Sequence, residues 1–445
     1  MKIGLIAMSG LRLCKPELLE LGLSFPAVAR RAKEIEALPS LGLLTIAGQT
    51  PKNVSVEYIE VRDVDHDDLP LHLDAVALST LTATAKEAYR LAARFREFGM
   101  PVILGGLHAT LNPADAEPHV DAVVVGEGEP VWPNIVRDLQ NNRLQSRYDA
   151  RAEGPFDFAE APMPRFDLLQ PDRYPRFTVQ TQRGCPLACE FCAASMRLSP
   201  FKVKPVHKVI AEVRRLKELY NNPFIEFADD NTFVNRRHSK NLLRALEHEQ
   251  IRWFTETDLS IADDEELLRM IRAAGCAQVL IGFEQPAYEA LDGVELNSNW
   301  KANRADRYLR AVEKIQRHGI TVNGCFIFGL DGTGPESFRD VFRFVRESGL
   351  YDVQITYLTP FPGTPLYQRL SEEGRILAED ASERCTLFDI NFQPDQMSVS
   401  ELEENFIKLA GRLYHPRFVA ERSRRFKSHL RNRIKEERQA KRPAA

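Results

Sequence analysis

Three cysteines crowd into one short stretch of the chain, at Cys185, Cys189 and Cys192. Their spacing is Cys-x3-Cys-x2-Cys, and they follow an extended segment at residues 178–182. A four-iron four-sulfur cluster has four corners, each normally held by a Cys thiolate. Three thiolates on a tight loop fill three corners and leave one iron open, much as a catalytic metal keeps a vacant position for substrate. The spacing therefore predicts an iron–sulfur cluster with one open iron.

Two other uses of clustered thiols compete with this interpretation. Zinc sites usually draw on paired cysteines with a fourth ligand close by, but the next cysteine, Cys276, is distant and the loop contains no His. A disulfide framework is disfavoured because the chain has seven cysteines, an odd number, and no secretory signal. The partial metal site remains an open alternative.

An aromatic residue, Phe191, stands directly before the third cysteine, so the loop has the form Cys-x3-Cys-x-aromatic-Cys. In this it resembles the signature of the radical S-adenosylmethionine enzymes. The resemblance implies that the open iron chelates the amino and carboxylate groups of S-adenosylmethionine. It also implies that reduction cleaves the sulfonium and releases a 5′-deoxyadenosyl radical, and that the backbone around Phe191 meets the adenine.

Length and composition favour a cytoplasmic protein of two domains with an appendage. The chain has 445 residues, of which 44% are hydrophobic, and its net charge of -4 predicts no general affinity for nucleic acid. No stretch approaches the roughly 20 apolar residues that span a bilayer. Residues 1–8 are apolar but too short for a signal peptide, and we interpret them as a strand.

Residues 1–150 alternate short β-branched runs with helical stretches, which predicts a parallel α/β sheet. The expected fold is doubly wound and five-stranded, with a flavodoxin-like strand order, and ligands of such folds bind outside the carboxyl ends of the strands. The candidate strands are 3–7, 56–61, 75–79, 102–104 and 122–125. The candidate helices are 41–49, 85–98 and 129–139.

The predicted strand ends of this domain carry glycines, hydroxyls and acids, among them Gly-Gly-x-His-Ala-Thr at 105–110 and Gly-Glu-Gly-Glu at 126–129. Taken singly, each is an ordinary strand-to-helix turn, although glycines there allow a bulky ligand to approach the backbone. Taken together, they resemble the cobalamin-binding domain of a radical-enzyme class that includes the bacteriochlorophyll cyclase and many methyltransferases. The resemblance implies a cobalamin cofactor. The residues it assigns to cobalamin are Ser79, Thr80, Thr82, Gly105, Gly106, Gly126, Glu127 and Gly128.

One motif of many cobalamin domains is absent. Those domains carry Asp-x-His-x-x-Gly after the first strand, and its His binds cobalt from below. Residues 8–14 contain no His, and neither His66 nor His108 has the required spacing. We expect His108 to orient a loop, and the lower axial face of the cobalamin stays unassigned.

The remainder of the chain divides into a Pro-rich linker at 151–176, a barrel at 177–377 and a helical region at 378–445. Six β/α units predict a partial barrel, also the fold of the resembling family, with active groups at the carboxyl ends of its strands. The candidate strands are 178–182, 224–227, 252–257, 279–283, 321–328 and 353–358. The candidate helices are 208–220, 237–247, 264–274, 306–318, 335–348 and 364–373.

Acidic residues follow three of the predicted barrel strands. Asp229 and Asp230 stand where the resembling family often has Gly-Gly-Glu, a motif that meets the amino group of S-adenosylmethionine. Helix capping is the alternative role for these two residues. Glu284, in Gly282-Phe-Glu, matches a motif that binds the ribose in the resembling subgroup, and Glu256 is the second candidate. A salt bridge within the barrel rim is the alternative for either glutamate.

The last stretch, 417–442, is basic, and its apolar residues recur at multiples of four. These residues are Phe418, Phe426, Leu430 and Ile434. A basic amphipathic helix can lie on an anionic membrane, so peripheral membrane contact and a lipid substrate are hypotheses. A helix packed on the barrel is the favoured interpretation.

The resulting hypothesis is a cobalamin-dependent radical S-adenosylmethionine methyltransferase that acts on an unactivated carbon of a small molecule or lipid. The resemblance implies that the cluster makes the radical, methylcobalamin delivers the methyl group, and an external donor such as flavodoxin or ferredoxin supplies electrons. The alternative is an oxidative cyclisation, rearrangement or dehydrogenation, with cobalamin in another role or absent. A methylthiotransferase is disfavoured because only Cys14 precedes Cys185. A non-catalytic cobalamin sensor and a nucleic-acid binder are disfavoured as well, by the complete cysteine triad and by sparse aromatic residues in the basic tail.

Overall fold

The computed structural model describes residues 1–8, 14, 38–170, 173–193, 199–377 and 381–440, apart from the side chains of 381 and 433–440. Its main elements are two parallel sheets, joined by a connector and followed by helices. The sheets correspond to the two α/β regions that the hydrophobic pattern predicts.

The first sheet contains six parallel strands in the order β2-β1-β3-β4-β5-β6. The first five have the predicted flavodoxin-like order, but the prediction of a five-stranded sheet is wrong by one strand. The sixth strand pairs with its neighbour through only three residues and contains no apolar run, so no sequence pattern marks it. The strands are β1 (Lys2–Met8), β2 (Ser55–Val61), β3 (Ala75–Ser79), β4 (Val102–Gly105), β5 (Ala122–Val125) and β6 (Arg147–Asp149).

Helices cover both faces of this sheet. The helices are α1 (Leu41–Gln49), α2 (Ala85–Glu97), α3 (Leu107–Leu111), α4 (Pro113–Ala116) and α5 (Trp132–Gln140). Successive side chains of a strand point to opposite faces, so Leu5 packs with α1 and α5 in one core, whereas Ile6 packs with α2 to α4 in the other. This burial on both faces explains the continuous apolar runs of the strands.

The connector between the sheets is more structured than the extended linker that its prolines predict. It forms three short 3-10 turns, at Ala150–Glu153, Phe158–Glu160 and Phe166–Leu168. Phe158 and Phe166 are buried. The connector therefore packs against the domains that it joins.

The second sheet contains six parallel strands in the order β14-β13-β12-β11-β10-β7. Their chain order equals their spatial order, the arrangement of a partial barrel. A separate two-stranded antiparallel ribbon, β8 (Gln182–Arg183) with β9 (Lys202–Val203), is inserted after the first barrel strand. The barrel strands are β7 (Phe177–Val179), β10 (Phe224–Phe227), β11 (Arg252–Thr257), β12 (Cys276–Glu284), β13 (Thr321–Phe328) and β14 (Asp352–Tyr357).

The barrel helices bury their apolar faces in one continuous core with these strands. They are α6 (Val206–Leu219), α7 (Arg236–Glu247), α8 (Glu265–Ala273), α9 (Tyr308–Arg317), α10 (Glu336–Ser348) and α11 (Pro365–Glu372). Local signals set their limits. Helix α8, for example, begins where the Asp264 carboxylate accepts a hydrogen bond from Leu267 N at 2.9 Å, the usual role of an N-cap aspartate.

Two further helices, α12 (Val399–Leu413) and α13 (Pro416–Ala440), follow the barrel. The apolar face of α13 packs against the barrel. The ring centroid of Phe418 lies 5.3 Å from that of Phe342 in α10, and the ring centroid of Phe426 lies 5.2 Å from that of Tyr351, just before β14. Arg425 of the same helix donates to Arg346 O at 2.9 Å. The fourth residue of the predicted stripe, Ile434, lies outside the described side chains.

The described helices include none that is long and apolar enough to cross a membrane. Because the described apolar residues of α13 are used in packing on the barrel, the structure gives no support to the hypothesis of peripheral membrane contact. The favoured interpretation of the tail, a helix packed on the barrel, agrees with these contacts.

Candidate functional site

The cysteine loop, residues 185–192, lies between the two strands of the β8–β9 ribbon, beside the carboxyl end of β7. Gly184 opens the loop with a φ of 79°, and a Cβ on it would stand 2.7 Å from Ser199 O. Only glycine fits such a conformation and approach without strain. Asp230 accepts a hydrogen bond from Gly184 N at 3.0 Å. Asp230 thus helps to fix the entry to the loop.

Two thiols of this loop, those of Cys185 and Cys189, occupy an environment that disfavours free thiolates. Burial raises the pKa of the Cys185 thiol. The pKa of Cys189 is raised to about 12, chiefly by burial; Lys301 opposes this shift, whereas Glu284, Cys192 and Cys185 add to it. A bound metal cluster reverses this balance, because its positive charge stabilises the thiolates that ligate it. Three cysteines on one short loop, near enough to influence one another's pKa, therefore fit an iron–sulfur cluster by the chemistry of their sulfurs.

One side of the loop is clamped by a segment between β12 and α9. Glu190 N donates to Val294 O and Leu296 N donates to Ala188 O, both at 3.0 Å. The buried Glu295 carboxylate accepts hydrogen bonds from Ala188 N at 3.1 Å, Ser298 N at 2.9 Å and Trp300 N at 3.2 Å. Glu295 thus fixes the backbone that carries the second cysteine.

The other side of the loop is held by helix α11. Arg369 binds both oxygens of Glu190, at 2.9 and 3.2 Å, and Leu366 N donates to Glu190 O at 3.2 Å. Asp331, which follows β13, in turn binds Arg369 and Arg375, each at 2.6 Å. The cysteine loop is therefore anchored from both sides by residues that our sequence reasoning did not identify.

The two predicted aspartates have different surroundings. Asp229 is buried and accepts hydrogen bonds from Thr181 N at 2.7 Å, Gln182 N at 3.1 Å and Thr232 Oγ1 at 3.0 Å. Burial raises its pKa to about 6, against the lowering effect of these donors. Its oxygens hold the backbone that leads to the ribbon. Asp230 is an exposed residue, and the structure records Gly184 N as a donor to its carboxylate.

Glu284 occupies a strained position at the barrel rim. Its φ is 57°, and the pairing of β12 with β13 shifts register between Gly282 and Glu284. The buried carboxylate lies 2.5 Å from the buried Lys301 Nζ, which also donates to Gly282 O at 2.9 Å. Such strain tends to occur at functional sites. A rim salt bridge was the alternative role for this residue, and the structure shows that bridge while leaving ribose binding untested.

The remaining predicted residues of the S-adenosylmethionine site flank this rim. Glu256 is an exposed residue near the carboxyl end of β11. Phe191 is partly buried against the barrel core. Their predicted roles remain predictions.

The carboxyl edge of the first sheet brings the predicted cobalamin residues together. Thr80 N donates to Gly105 O at 3.2 Å, and a Cβ on Gly106 (φ 99°) would stand 2.7 Å from Thr80 O. Gly126 N donates to Thr110 Oγ1 at 3.0 Å. Beside them Thr82 Oγ1 is buried without a hydrogen-bond partner, an unusual state for a hydroxyl. A glycine-lined edge with an unsatisfied hydroxyl fits a bulky polar cofactor.

Ser79 and Gly128 lie on the same edge, but Glu127 has a different contact. Its carboxylate binds Arg183 and Lys202 of the ribbon. His108 is buried, and its Nε2 lies 3.0 Å from Asp115 and 2.9 Å from the Tyr89 hydroxyl. These contacts agree with a loop-orienting role. Residues 9–13 of the loop without a His lie outside the described residues.

A glutamine at position 295 is expected to weaken the fold in a pH-dependent manner. The donors around Glu295 outweigh its burial and lower its pKa to about 2. Because the pKa of Glu295 is lower in the folded protein, its ionised carboxylate stabilises the fold above about pH 4.5, the unfolded pKa. This stabilisation disappears as the pH falls towards 2. Glu295→Gln should therefore lose about 2–3 kcal/mol at pH 7 and much less at pH 3. Urea unfolding across this pH range measures the effect, and equal losses at both pH values would contradict it. The exposed Glu404→Gln serves as the control, with no pH-dependent loss.

Comparison with known proteins places three family models along the chain. Residues 36–136 match the B12 binding domain, residues 179–345 the Radical SAM superfamily, and residues 364–444 a domain of unknown function, DUF4070. The first two matches coincide with the sheet that carries the glycine-lined edge and with the barrel that carries the cysteine loop.

Some curated proteins are similar to this chain over most of its length. The bacteriochlorophyllide d C-12(1)-methyltransferase of Chlorobaculum tepidum is 27% identical over 383 residues, which cover 84% of this chain and 82% of that protein. The hopanoid C-2 methylase of Rhodopseudomonas palustris is 29% identical over 358 residues, which cover 78% of this chain and 67% of that protein. The fold resembles the radical S-adenosylmethionine methyltransferase TsrM from Kitasatospora setae, with a TM-score of 0.65, 16% identity, and coverage of 98% of this chain and 99% of that one.

The cofactors of the site follow from these matches and from the geometry. The structure of TsrM contains cobalamin and a [4Fe-4S] cluster, and here the cysteine loop fits such a cluster while the glycine-lined edge fits cobalamin. The chain thus combines a B12 binding domain with a Radical SAM domain and is similar to cobalamin-dependent radical S-adenosylmethionine enzymes.

Proposed function

We propose that this enzyme transfers a methyl group to an unactivated carbon of a small molecule. The observation that carries the proposal is that the cysteine loop is tied directly to the glycine-lined edge. Arg183, two residues before Cys185, binds Glu127 between Gly126 and Gly128. The site of radical formation and the site of the methyl carrier thus lie on one connected surface, as a transfer between them requires.

The chain's own residues have three tasks in this proposal. Cys185, Cys189 and Cys192 hold the cluster; Glu284, Glu256, Asp230 and Phe191 are proposed to bind S-adenosylmethionine; and the glycine-lined edge is proposed to bind cobalamin. When bound, these cofactors supply a hydrogen-abstracting radical and the methyl group. The protein positions them and keeps water away. The carboxylate of Asp229 already accepts hydrogen bonds from backbone N–H groups, so Asp229 is proposed to act only by holding that backbone in place.

The substrate is proposed to be largely apolar. The two relatives are named for bacteriochlorophyllide d and hopanoids, both large and mostly apolar. Here the turn at Thr82–Thr84 contacts the segment at Ala381–Arg384, and Leu81 and Leu387, next to these two segments, are 60% and 38% exposed. One exposed leucine beside the proposed cofactor edge and one beside the barrel suit an apolar ligand.

The test is the fate of a labelled methyl group. Anaerobically reconstituted enzyme with a reductant, hydroxocobalamin and deuteromethyl S-adenosylmethionine should move the label into an apolar extract of the source cells, as followed by mass spectrometry. We expect labelled product only when cobalamin is present. Consumption of substrate that is dependent on S-adenosylmethionine but yields unlabelled product would contradict methylation and favour cyclisation, rearrangement or dehydrogenation.

A further inference from the structure

Arg183 joins the ribbon of the cysteine loop to the glycine-lined edge. Its guanidinium binds Glu127 through Nη1, Glu129 through Nη2 at 2.8 Å, and Gln180 Oε1 through Nε at 3.1 Å. The ring of Phe158, from the connector, lies 4.7 Å from the guanidinium carbon. Arg183 thus contacts the first domain, the connector and the barrel at once.

Lys202 adds a second cation from the opposite strand of the ribbon. Its Nζ lies 2.6 Å from Glu127 Oε2 and 3.0 Å from Phe156 O. Arg183 and Lys202 are direct partners across the ribbon. One carboxylate is therefore held by both strands that flank the cysteine loop.

These charges are removed from solvent. The side chains of Glu127, Glu129, Arg183 and Lys202 are between 6% and 18% exposed. Charge pairs that are shielded in this way depend on their geometry, because loss of one partner leaves an uncompensated charge. If the ribbon moves, Glu127 is expected to move with it, because water cannot readily replace its buried cationic partners.

Glu127 in turn is part of the backbone expected to approach cobalamin. It lies between Gly126, whose φ of 87° and hydrogen bond to Thr110 Oγ1 fix one side, and Gly128, whose carbonyl accepts from Trp132 N at 2.9 Å. The glycines are held by the first domain and the carboxylate is held by the ribbon. These three residues thus contact both the ribbon of the cysteine loop and the rest of the first domain.

We propose that Arg183, supported by Lys202, is a positioning residue that couples cluster binding to cobalamin binding. Loading the cysteine loop restrains the already anchored ribbon further, the ribbon restrains Glu127, and the glycine-lined edge then binds cobalamin more tightly. This inference rests on the proposed cofactor sites but not on methyl transfer. Coupling between two binding sites is reciprocal, so cobalamin should also help the loop to retain its cluster.

The experiment compares two affinities for hydroxocobalamin, one for the full-length cluster-free protein and one for the protein with its cluster reconstituted. In the unaltered protein we expect the cluster to tighten cobalamin binding about 5- to 20-fold. In Glu127→Gln this ratio should fall to within about twofold of one, because the coupling is lost. Cobalamin should likewise slow the removal of iron by a chelator in the unaltered protein and not in the variant.

The control is Arg165→Gln, which breaks a surface ion pair with Asp167 inside the connector and should keep the full ratio. If Arg183 had only a structural role, Glu127→Gln would have a lower melting temperature but the same ratio of cobalamin affinities with and without the cluster, and the proposal would be overturned. A ratio of one in the unaltered protein would also overturn it. If Glu127→Gln does not fold, Lys202→Met removes one of the two cations and should reduce the ratio about halfway. If the enzyme transfers the labelled methyl group but Glu127→Gln keeps the affinity ratio of the unaltered protein, only the coupling is refuted. If the affinity ratio falls in Glu127→Gln but no labelled product forms, only the methyltransferase function is refuted.

Discussion

Cys189→Ala is expected to abolish the cluster and all activity that depends on S-adenosylmethionine. Two of the three thiols would remain, and two protein ligands do not hold a cluster that normally takes at least three. Iron after reconstitution should fall from about four atoms per chain to less than a tenth of that amount. Iron assay, ultraviolet–visible absorption and paramagnetic resonance of the reduced protein measure the loss.

The fold should survive this change. Glu295 holds Ala188 N and Arg369 holds Glu190, so the backbone on both sides of Cys189 is anchored without its sulfur. The matched control is Cys276→Ala, which removes a buried thiol at the start of β12 and should keep its iron. A Cys189→Ala protein with a full iron content would refute the ligand assignment. Stoichiometric zinc in the unaltered protein, with no reconstitution of iron, would favour the alternative metal site.

Sequence reasoning predicted the parts of this molecule that local patterns encode. Strands such as β3 and β5 are continuous apolar runs because they are buried on both faces, so their order could be inferred from their alternation with helices. The cysteine loop was recognisable because its three sulfurs must all lie within one short segment. Only one strand of the first sheet, Arg147–Asp149, was missed, for want of any apolar pattern.

The supports of the site were not predictable in this manner. Glu295 contacts a residue 107 positions earlier, and Arg369 contacts one 179 positions earlier. Nothing in the residues around either position signals such a partner, because long-range pairing depends on how the barrel closes. Asp229 was predicted to bind S-adenosylmethionine because it follows a barrel strand. Its hydrogen bonds with the backbone between β7 and β8 also join distant parts of the chain, so they could not be predicted.

The Glu284–Lys301 pair combines strain with buried charge at the barrel rim. A residue other than glycine with φ near 57° costs free energy. The buried Glu284 carboxylate is paired with the buried Lys301 ammonium. Burial lowers the pKa of Lys301, but Glu284 and Cys189 more than offset it, so the net pKa is raised. Both features are explained if the rim must present a fixed carboxylate oxygen beside the cysteine loop.

Lys301→Met should cost about 3–5 kcal/mol of unfolding free energy at pH 8, because it leaves the Glu284 carboxylate buried without its partner. The unpaired carboxyl should then take up a proton, with a folded pKa above its unfolded value. A raised folded pKa means that the native state binds more protons than the unfolded state between the two values. The stability of the variant should therefore fall as the pH rises through that window and then stay low.

Guanidinium unfolding of the cluster-free protein between pH 5 and 8 measures this dependence. The double variant Lys301→Met/Glu284→Gln removes both charges and should recover at least about 2 kcal/mol of the loss while abolishing its pH dependence. The surface variant Lys408→Met, which breaks an exposed pair with Glu404, should change stability by less than about 0.5 kcal/mol. If Lys301→Met were as stable as the unaltered protein at pH 8, Glu284 would not depend on the ammonium, and the rim would have to be held by the backbone alone.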